Sequence, residues 1–322
     1  EAGALPTQNF RFGQFAGHEK ISGETVKETI ESRKGNPSHV CHRGCVIKCS
    51  QVYNDKEGRY VTSGFEYETI WGLGANCNVD DLDILAQADR IMDDVGVDSI
   101  DTAVAMGVAM EAGVIPFGDG PGILRLLKEI GENTPLGRIL GSGAELVGKA
   151  YGMTRVAVVK GQALSAYDPR SVKGMGITYA TSTMGSDHTA GYCIPVNILK
   201  VGGFVDPLKK EGQIELSRRL QIGTAFLDTT GLCVFVGFAS LDNDQVFQSV
   251  VEMINAKDGL RMTREEGRAL GRKILWTEHE FNLAAGFTNK HDRLPEFFEE
   301  PLPPHNAVWD FTGEEIDTFW TL

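Results

Sequence analysis

The chain has 322 residues, 42% hydrophobic and 23% charged, the make-up of an ordinary globular protein long enough for two domains. Its 44 acidic residues against 31 basic ones give a net charge of −13, which argues against nucleic acid or an anionic membrane as partner. No apolar run approaches the roughly 18 residues of a transmembrane helix, and the opening EAGALPTQNF has neither the basic region nor the apolar core of a secretory leader.

The first 40 residues read as mixed polar chain with one short helix over 24–32, bounded by Gly35 and Pro37. Cys41, Cys45 and Cys49 follow at i, i+4 and i+8 in VCHRGCVIKCS, and a lone fourth stands far downstream at Cys233 in LDTTGLCVF. An iron–sulfur cubane needs four soft ligands, and one turn of chain readily supplies three of them. A zinc knuckle competes, but it draws its ligands as two close pairs and no second pair sits beside Cys233. The third reading, a small buried hydrophobe, is the default for the scattered Cys77 and Cys193. The spacing indicates metal ligation rather than a disulfide framework, so the chain is expected in a reducing cytoplasm. His42, inside the same run, either hydrogen-bonds cluster sulfur or is an exposed loop histidine.

A turn-rich passage, NDKEGRY, precedes SGFEYETIWGLGANC. From Asp80 the pattern is helical: Val79, Leu82, Leu85, Ala88, Ile91, Met92 and Val95 recur at steps of three and four, with Asp80 or Asp81 as cap and Gly96 as stop. Further helices are predicted over 102–112, 122–130 and 136–151. After a β-branched run at 156–159, the stretch YDPRSVKGMGITYATSTMGSDHTAGY is rich in Gly, Ser and Thr and reads as a site-forming loop. Helices resume over 214–226, 244–254 and 264–283, the last opened by a Thr263-x-x-Glu266 capping box. Strand signals are scarce. The expectation is a mainly α protein of two helical domains, residues 1–157 and 158–322.

One motif occurs twice: Asp93-Asp94-Val95-Gly96-Val97-Asp98 in the first half and Asp228-Thr229-Thr230-Gly231-Leu232-Cys233 in the second. Each reads as a helix end with a left-handed glycine, a turn that offers backbone N–H groups and a carboxylate to a polar heterocycle. A single such box is a common helix stop. Two, one of them ending in the fourth cysteine, are far more specific.

With these motifs the sequence resembles the tungsten-containing aldehyde:ferredoxin oxidoreductase family. The likeness runs from the cysteine cluster to about Pro304 and includes EYETIW with GLGAN, both boxes, AYDPR, GITYAT with a following His, and EFNLAAGF…RLPEFFEEPLP. The resemblance implies two helical domains enclosing a tungsten or molybdenum ion on two molybdopterin-type pterins. Cys41, Cys45, Cys49 and Cys233 would hold a [4Fe–4S] cluster, and the turns at Asp93, Gly96, Asp98, Asp228 and Gly231 would meet the pterins. It also implies aldehyde oxidation to a carboxylic acid, or the reverse, with electrons passed to ferredoxin or an iron–sulfur subunit. Alternatives are a low-potential reductase of an activated acid or aromatic thioester on the same fold, and an electron-transfer or assembly subunit without a complete pterin site.

Three features depart from the family pattern. The cysteine spacing is x3, x3 rather than x2, x3, as in a divergent bacterial branch. The Glu-x-x-His pair that binds an interface iron is replaced by Gln87 and Arg90. The family's β-rich N-terminal domain is absent, which points to a piece of a longer protein or one product of a split gene.

For proton transfer, Glu68 matches the family's carboxylate near the metal and His188 its partner histidine; groups tuned near neutrality suit such work. Their plain alternatives are an ion-paired surface acid and a hydrogen-bonded loop histidine. Glu66 is balanced between site and scaffold. Tyr167 and Arg170 either line the pocket or brace a turn, and Asp168-Pro169 reads first as turn chemistry.

Overall fold

The computed structural model describes residues 2–321. The chain is mainly α-helical and divides into two compact units. The first runs as far as Val158 and takes in Gln162–Ala166 and Leu302–Asn306; the second comprises Val159–Gly161, Tyr167–Pro301 and the chain from Ala307 onward.

The first unit opens with α1 (Gly23–Ser32), capped by the Ser22 hydroxyl, which accepts from Thr25 N–H. A three-stranded antiparallel sheet follows, β1 (Asn36–His39), β2 (Ser50–Asn54) and β3 (Tyr60–Ser63), in the order β1-β2-β3. His39 faces Ser50 across the β1–β2 pair, so the thiol-bearing run is the loop of a hairpin. The second hairpin turns at NDKEGRY, where the Asp55 carboxylate accepts the N–H groups of Glu57 and Arg59. This sheet was not legible in the sequence, because its strands are four or five residues long and too short for a clear alternation.

Next come α2 (Tyr67–Leu73), α3 (Leu82–Val95), α4 (Ser99–Glu111) and α5 (Gly120–Gly131). Asp81 caps α3 and Gly96 ends it at φ +78°. Every residue of α4 from Thr102 to Met110 is buried, so the helix is apolar all round rather than amphipathic. Its small side chains permit this: a Cβ at Gly72 on α2 would stand 2.6 Å from that of Ala103, and one at Gly107 would meet Asn76 at 2.7 Å. The single helix expected over 136–151 is two, α6 (Pro135–Leu140) and α7 (Ala144–Tyr151). The break falls at Gly143, whose φ is +90°, and the Asp101 carboxylate accepts the N–H of Ala144 at the start of α7. A two-residue hairpin, Val158–Val159 with Gln162–Ala163, follows.

In the second unit, about a third of the stretch expected to be loop is helical: α8 (Lys173–Thr181) is buried at every residue. All-round burial leaves no polar face for the helical period to reveal. Gly176 lets Trp309 approach, and Thr178 Oγ1 lies 2.7 Å from Ser217 Oγ on α9 (Gln213–Thr229). Three helices complete the array: α10 (Val234–Asp242), absent from the sequence reading, α11 (Asp244–Asp258) and α12 (Arg264–Ala284). The Thr263–Glu266 capping box opens α12 as expected. Helices α9 and α12 meet closely at Gly271, where a Cβ would fall 2.2 Å from Ile222 O. The short α13 (Gly313–Asp317) lies near the end. A buried ion pair, Lys160 Nζ to Asp292 at 2.6 Å, ties the opening of this unit to its later part, and Trp320 Nε1 also donates to Asp292.

Candidate functional site

The six cysteines fall into two sets. Cys77 and Cys193 are fully buried; burial raises both thiols, that of Cys193 to about 12. Cys41, Cys49 and Cys233 are exposed and Cys45 is half-buried. On the β1–β2 loop, backbone N–H groups of Lys48 and Ile47 donate to Cys45 sulfur and hold its pKa below the usual thiol value. Cys233 stands immediately before α10 with no capping bond of its own. No disulfide links the six. Thiols kept out of the core, one of them solvated by backbone N–H, are individually accessible to a soft metal. They are divided three to one between the units, and among the described residues no three His, Cys, Asp or Glu side chains stand together as a metal-holding group.

The first box joins two helices. Asp93 is exposed in the last turn of α3, and Gly96 is left-handed with open space where a Cβ would project. Asp98 caps α4, accepting the Asp101 N–H at 2.6 Å. One turn before Asp93, Asp89 is 5% exposed and accepts from Thr62 Oγ1 at 2.6 Å. Burial, with smaller contributions from the charges of Asp93 and Glu66, pushes its pKa up to about 6, against the lowering effect of the Thr62 and Thr69 hydrogen bonds. Sequence reasoning missed Asp89, although the repeat of acids at 89 and 93 on a helix with apolar residues at 88 and 92 was the available signal.

Glu68, in the first turn of α2, is 7% exposed, and its Oε2 accepts the N–H of Ala166 at 2.9 Å. It is therefore not a surface acid. Glu66 occupies the N-cap position of α2 without a capping bond. The residue as a whole is exposed, yet partial burial of its carboxyl end raises its pKa.

The second box lies in the second unit. Asp228 ends α9, and Gly231 adopts φ +73° with open space around its Cα. Burial raises the Asp228 pKa, and the charges of Asp187 and Glu278 raise it further, so the structure brings this box near the loop that bears His188. The Asp187 carboxylate turns that loop by accepting the N–H groups of Thr189 and Ala190. The His188 ring is stacked near Tyr167 at 6.2 Å and 19°, and meets Tyr192 edge-on at 5.7 Å. The two tyrosine hydroxyls are 2.5 Å apart. Arg170 braces rather than lines: it is 1% exposed and grips the buried Asp168 carboxylate through Nε and Nη2 at 2.9 and 2.7 Å.

Fold and site together define a mainly helical scaffold that presents unburied thiols, two glycine-turned acidic boxes and a held carboxylate and imidazole. The chain belongs to the aldehyde ferredoxin oxidoreductase family: residues 1–318 match the family described as aldehyde ferredoxin oxidoreductase, domains 2 and 3. It is similar to the tungsten-containing aldehyde ferredoxin oxidoreductase of Pyrococcus furiosus, with 32% identity over 94% of this chain and 51% of that protein. The Thermococcus kodakarensis protein of the same description is 33% identical over the same shares. A further relative, the aliphatic sulfonate oxidoreductase, WOR-like subunit, of Pyrococcus furiosus, is 26% identical over 85% of this chain and 45% of its own length. The chain spans about half the length of the curated relatives it matches. Among the described residues no helix is long and apolar enough to cross a membrane.

Proposed function

We propose that the protein is a tungsten (or molybdenum) bis-pterin oxidoreductase that interconverts an aldehyde and a carboxylic acid and passes electrons singly through a [4Fe–4S] cluster to ferredoxin or an iron–sulfur partner subunit. In this reading Cys41, Cys45, Cys49 and Cys233 hold the cluster. The turns Asp93–Gly96–Asp98 and Asp228–Gly231 receive the pterins, with a pterin-binding domain from a longer chain or a separate one completing the enclosure. When bound, the pterin-held metal supplies the two-electron chemistry at the carbonyl. The chain itself supplies orientation and proton handling. The Ala166 N–H fixes the plane of the Glu68 carboxylate, and Tyr167 and Tyr192 hold the His188 ring between aromatic surfaces. Carboxylate and imidazole move protons to and from water and the substrate oxygen, with Glu66 as a second acid nearby in sequence.

The single observation that carries this reading is the division of the cysteines: none of the four cluster positions is buried, while both remaining cysteines are. Metal analysis of the protein together with its N-terminal domain tests it. Tungsten or molybdenum with about four irons per chain, and aldehyde-dependent reduction of a viologen dye, is the expected result. Iron without tungsten or molybdenum would reduce the protein to an electron-transfer subunit, and zinc in place of iron would remove the cluster.

A further inference from the structure

The second unit contains a cavity of about 1140 Å³ walled by α9, α10, α11 and α12. We propose that it is a binding site for an amphipathic organic acid, a carboxylate carrying a long apolar chain. Its walls combine two chemistries. Leu220, Phe226, Leu227 and Val250 contribute buried apolar surface, and Val236 and Phe238 extend it along α10. Around them stand five cations, Arg218, Arg219, Arg268, Arg272 and Lys273, against three carboxylates, Glu215, Asp244 and Glu265. One of those carboxylates, Asp244, is taken by Arg264 at 2.6 Å.

Four of the cations, Arg219, Arg268, Arg272 and Lys273, are exposed and stand at the open rim of the cavity. Arg218 donates to the carbonyls of Phe319 and Thr318, and Arg268 lies over the Phe247 ring at 5.5 Å. Arg219, Arg268, Arg272 and Lys273 have no carboxylate partner among the described residues. In a chain of net charge −13, this local excess of positive charge is a concentration against the trend. Gly223, midway along α9, faces the cavity, and a Cβ there would meet nothing within 4 Å.

An inorganic anion would answer the cations and leave the apolar wall wet. A neutral hydrocarbon would cover the wall and leave the cations unpaired. A carboxylate with an apolar chain answers both, and the volume lies just above the about 300–1,000 Å³ usual for small-ligand sites, which leaves room for such a chain. Tyr192 belongs to the wall and also meets His188 edge-on, so the site borders the proposed imidazole. The inference does not require that His188 be catalytic.

Isothermal titration of the purified protein at low salt, with decanoate, decanol and inorganic phosphate as probes, tests it without any turnover. Decanoate is expected to bind at least about tenfold more tightly than either of the others, and to weaken as salt rises. An Arg219→Gln/Arg272→Gln double variant should lose about tenfold for decanoate and little for decanol. Gly223→Phe, at a helical position where a Cβ meets nothing within 4 Å and the ring projects into the cavity, should abolish decanoate binding while the melting temperature holds. Equal affinity for decanol, or for phosphate, overturns the proposal, as does undiminished decanoate binding in Gly223→Phe. If the phenylalanine variant does not fold, the arginine pair decides alone.

Discussion

The first box closes α3 and opens α4, whose residues are buried from Thr102 to Met110, whereas the second closes α9 and opens α10, a helix without a single buried residue. Both glycines are left-handed, at φ +78° and +73°, with open space beside them. The local device is the same, and its support is not. Asp98 spends its carboxylate on capping a helix that the core already holds, while the second box runs into an exposed cysteine and a helix that walls a large cavity. A turn set in packed helices is ordered by the protein alone; one followed by an apolar, unburied helix gains its order from whatever covers it.

The largest expected effect concerns the two residues proposed to handle protons, Glu68 in the first unit and His188 in the second. Glu68→Gln keeps shape and hydrogen-bonding reach but loses the titratable charge, and turnover normalised to tungsten should fall about 10²–10⁴-fold with metal content unchanged. His188→Asn should lower turnover likewise. Near-parental normalised rates across pH would remove both from the mechanism and leave the family assignment standing.

A second contrast is among the thiols. Cys233→Ser should strip iron from the protein, while Cys193→Ser, in a fully buried site, should keep its iron and lose only stability. Iron counts that do not distinguish the two variants would break the division on which the functional reading rests.

The third tests the packed side of the comparison through Asp89. Its folded pKa of about 6 lies above the ordinary 3.8, so between these values the folded state holds more protons than the unfolded one. Its contribution to stability is therefore fully present below pH 3.8 and is lost as pH rises through about 6. Asp89→Asn, which retains an acceptor for Thr62, should raise stability at pH 7 by about 1–3 kcal/mol and flatten the pH 4–6 slope of urea unfolding. An unchanged slope would show that the carboxyl ionises freely in the folded protein.

The smallest effect distinguishes the two boxes directly. Alanine at Gly96 or Gly231 must adopt a left-handed conformation, which costs about 1 kcal/mol. Gly96→Ala should lower global stability by about that amount, because α3 and α4 belong to the core of the first unit. Gly231→Ala should leave the global transition nearly in place and speed amide exchange in α10. Equal global losses would mean that the second box is as firmly supported as the first.

The sequence alone determined what local chemistry can express. The cap and stop of α3, the Thr263–Glu266 box of α12, the mainly helical class and the two glycine turns all depend on residues within a few positions of one another. So does the clustering of three thiols. Tertiary structure decided the rest. The three-stranded sheet depends on pairing between strands too short to carry a pattern, and it turns the thiol run into a hairpin loop. Helix α8 is buried on all sides and so lacks the polar face by which a helix is recognised. The raised pKa of Asp89, the anchoring of Glu68 by Ala166 and the cations gathered about one cavity arise between residues distant in sequence. Burial and electrostatic fields belong to the folded arrangement, and no spacing along the chain records them.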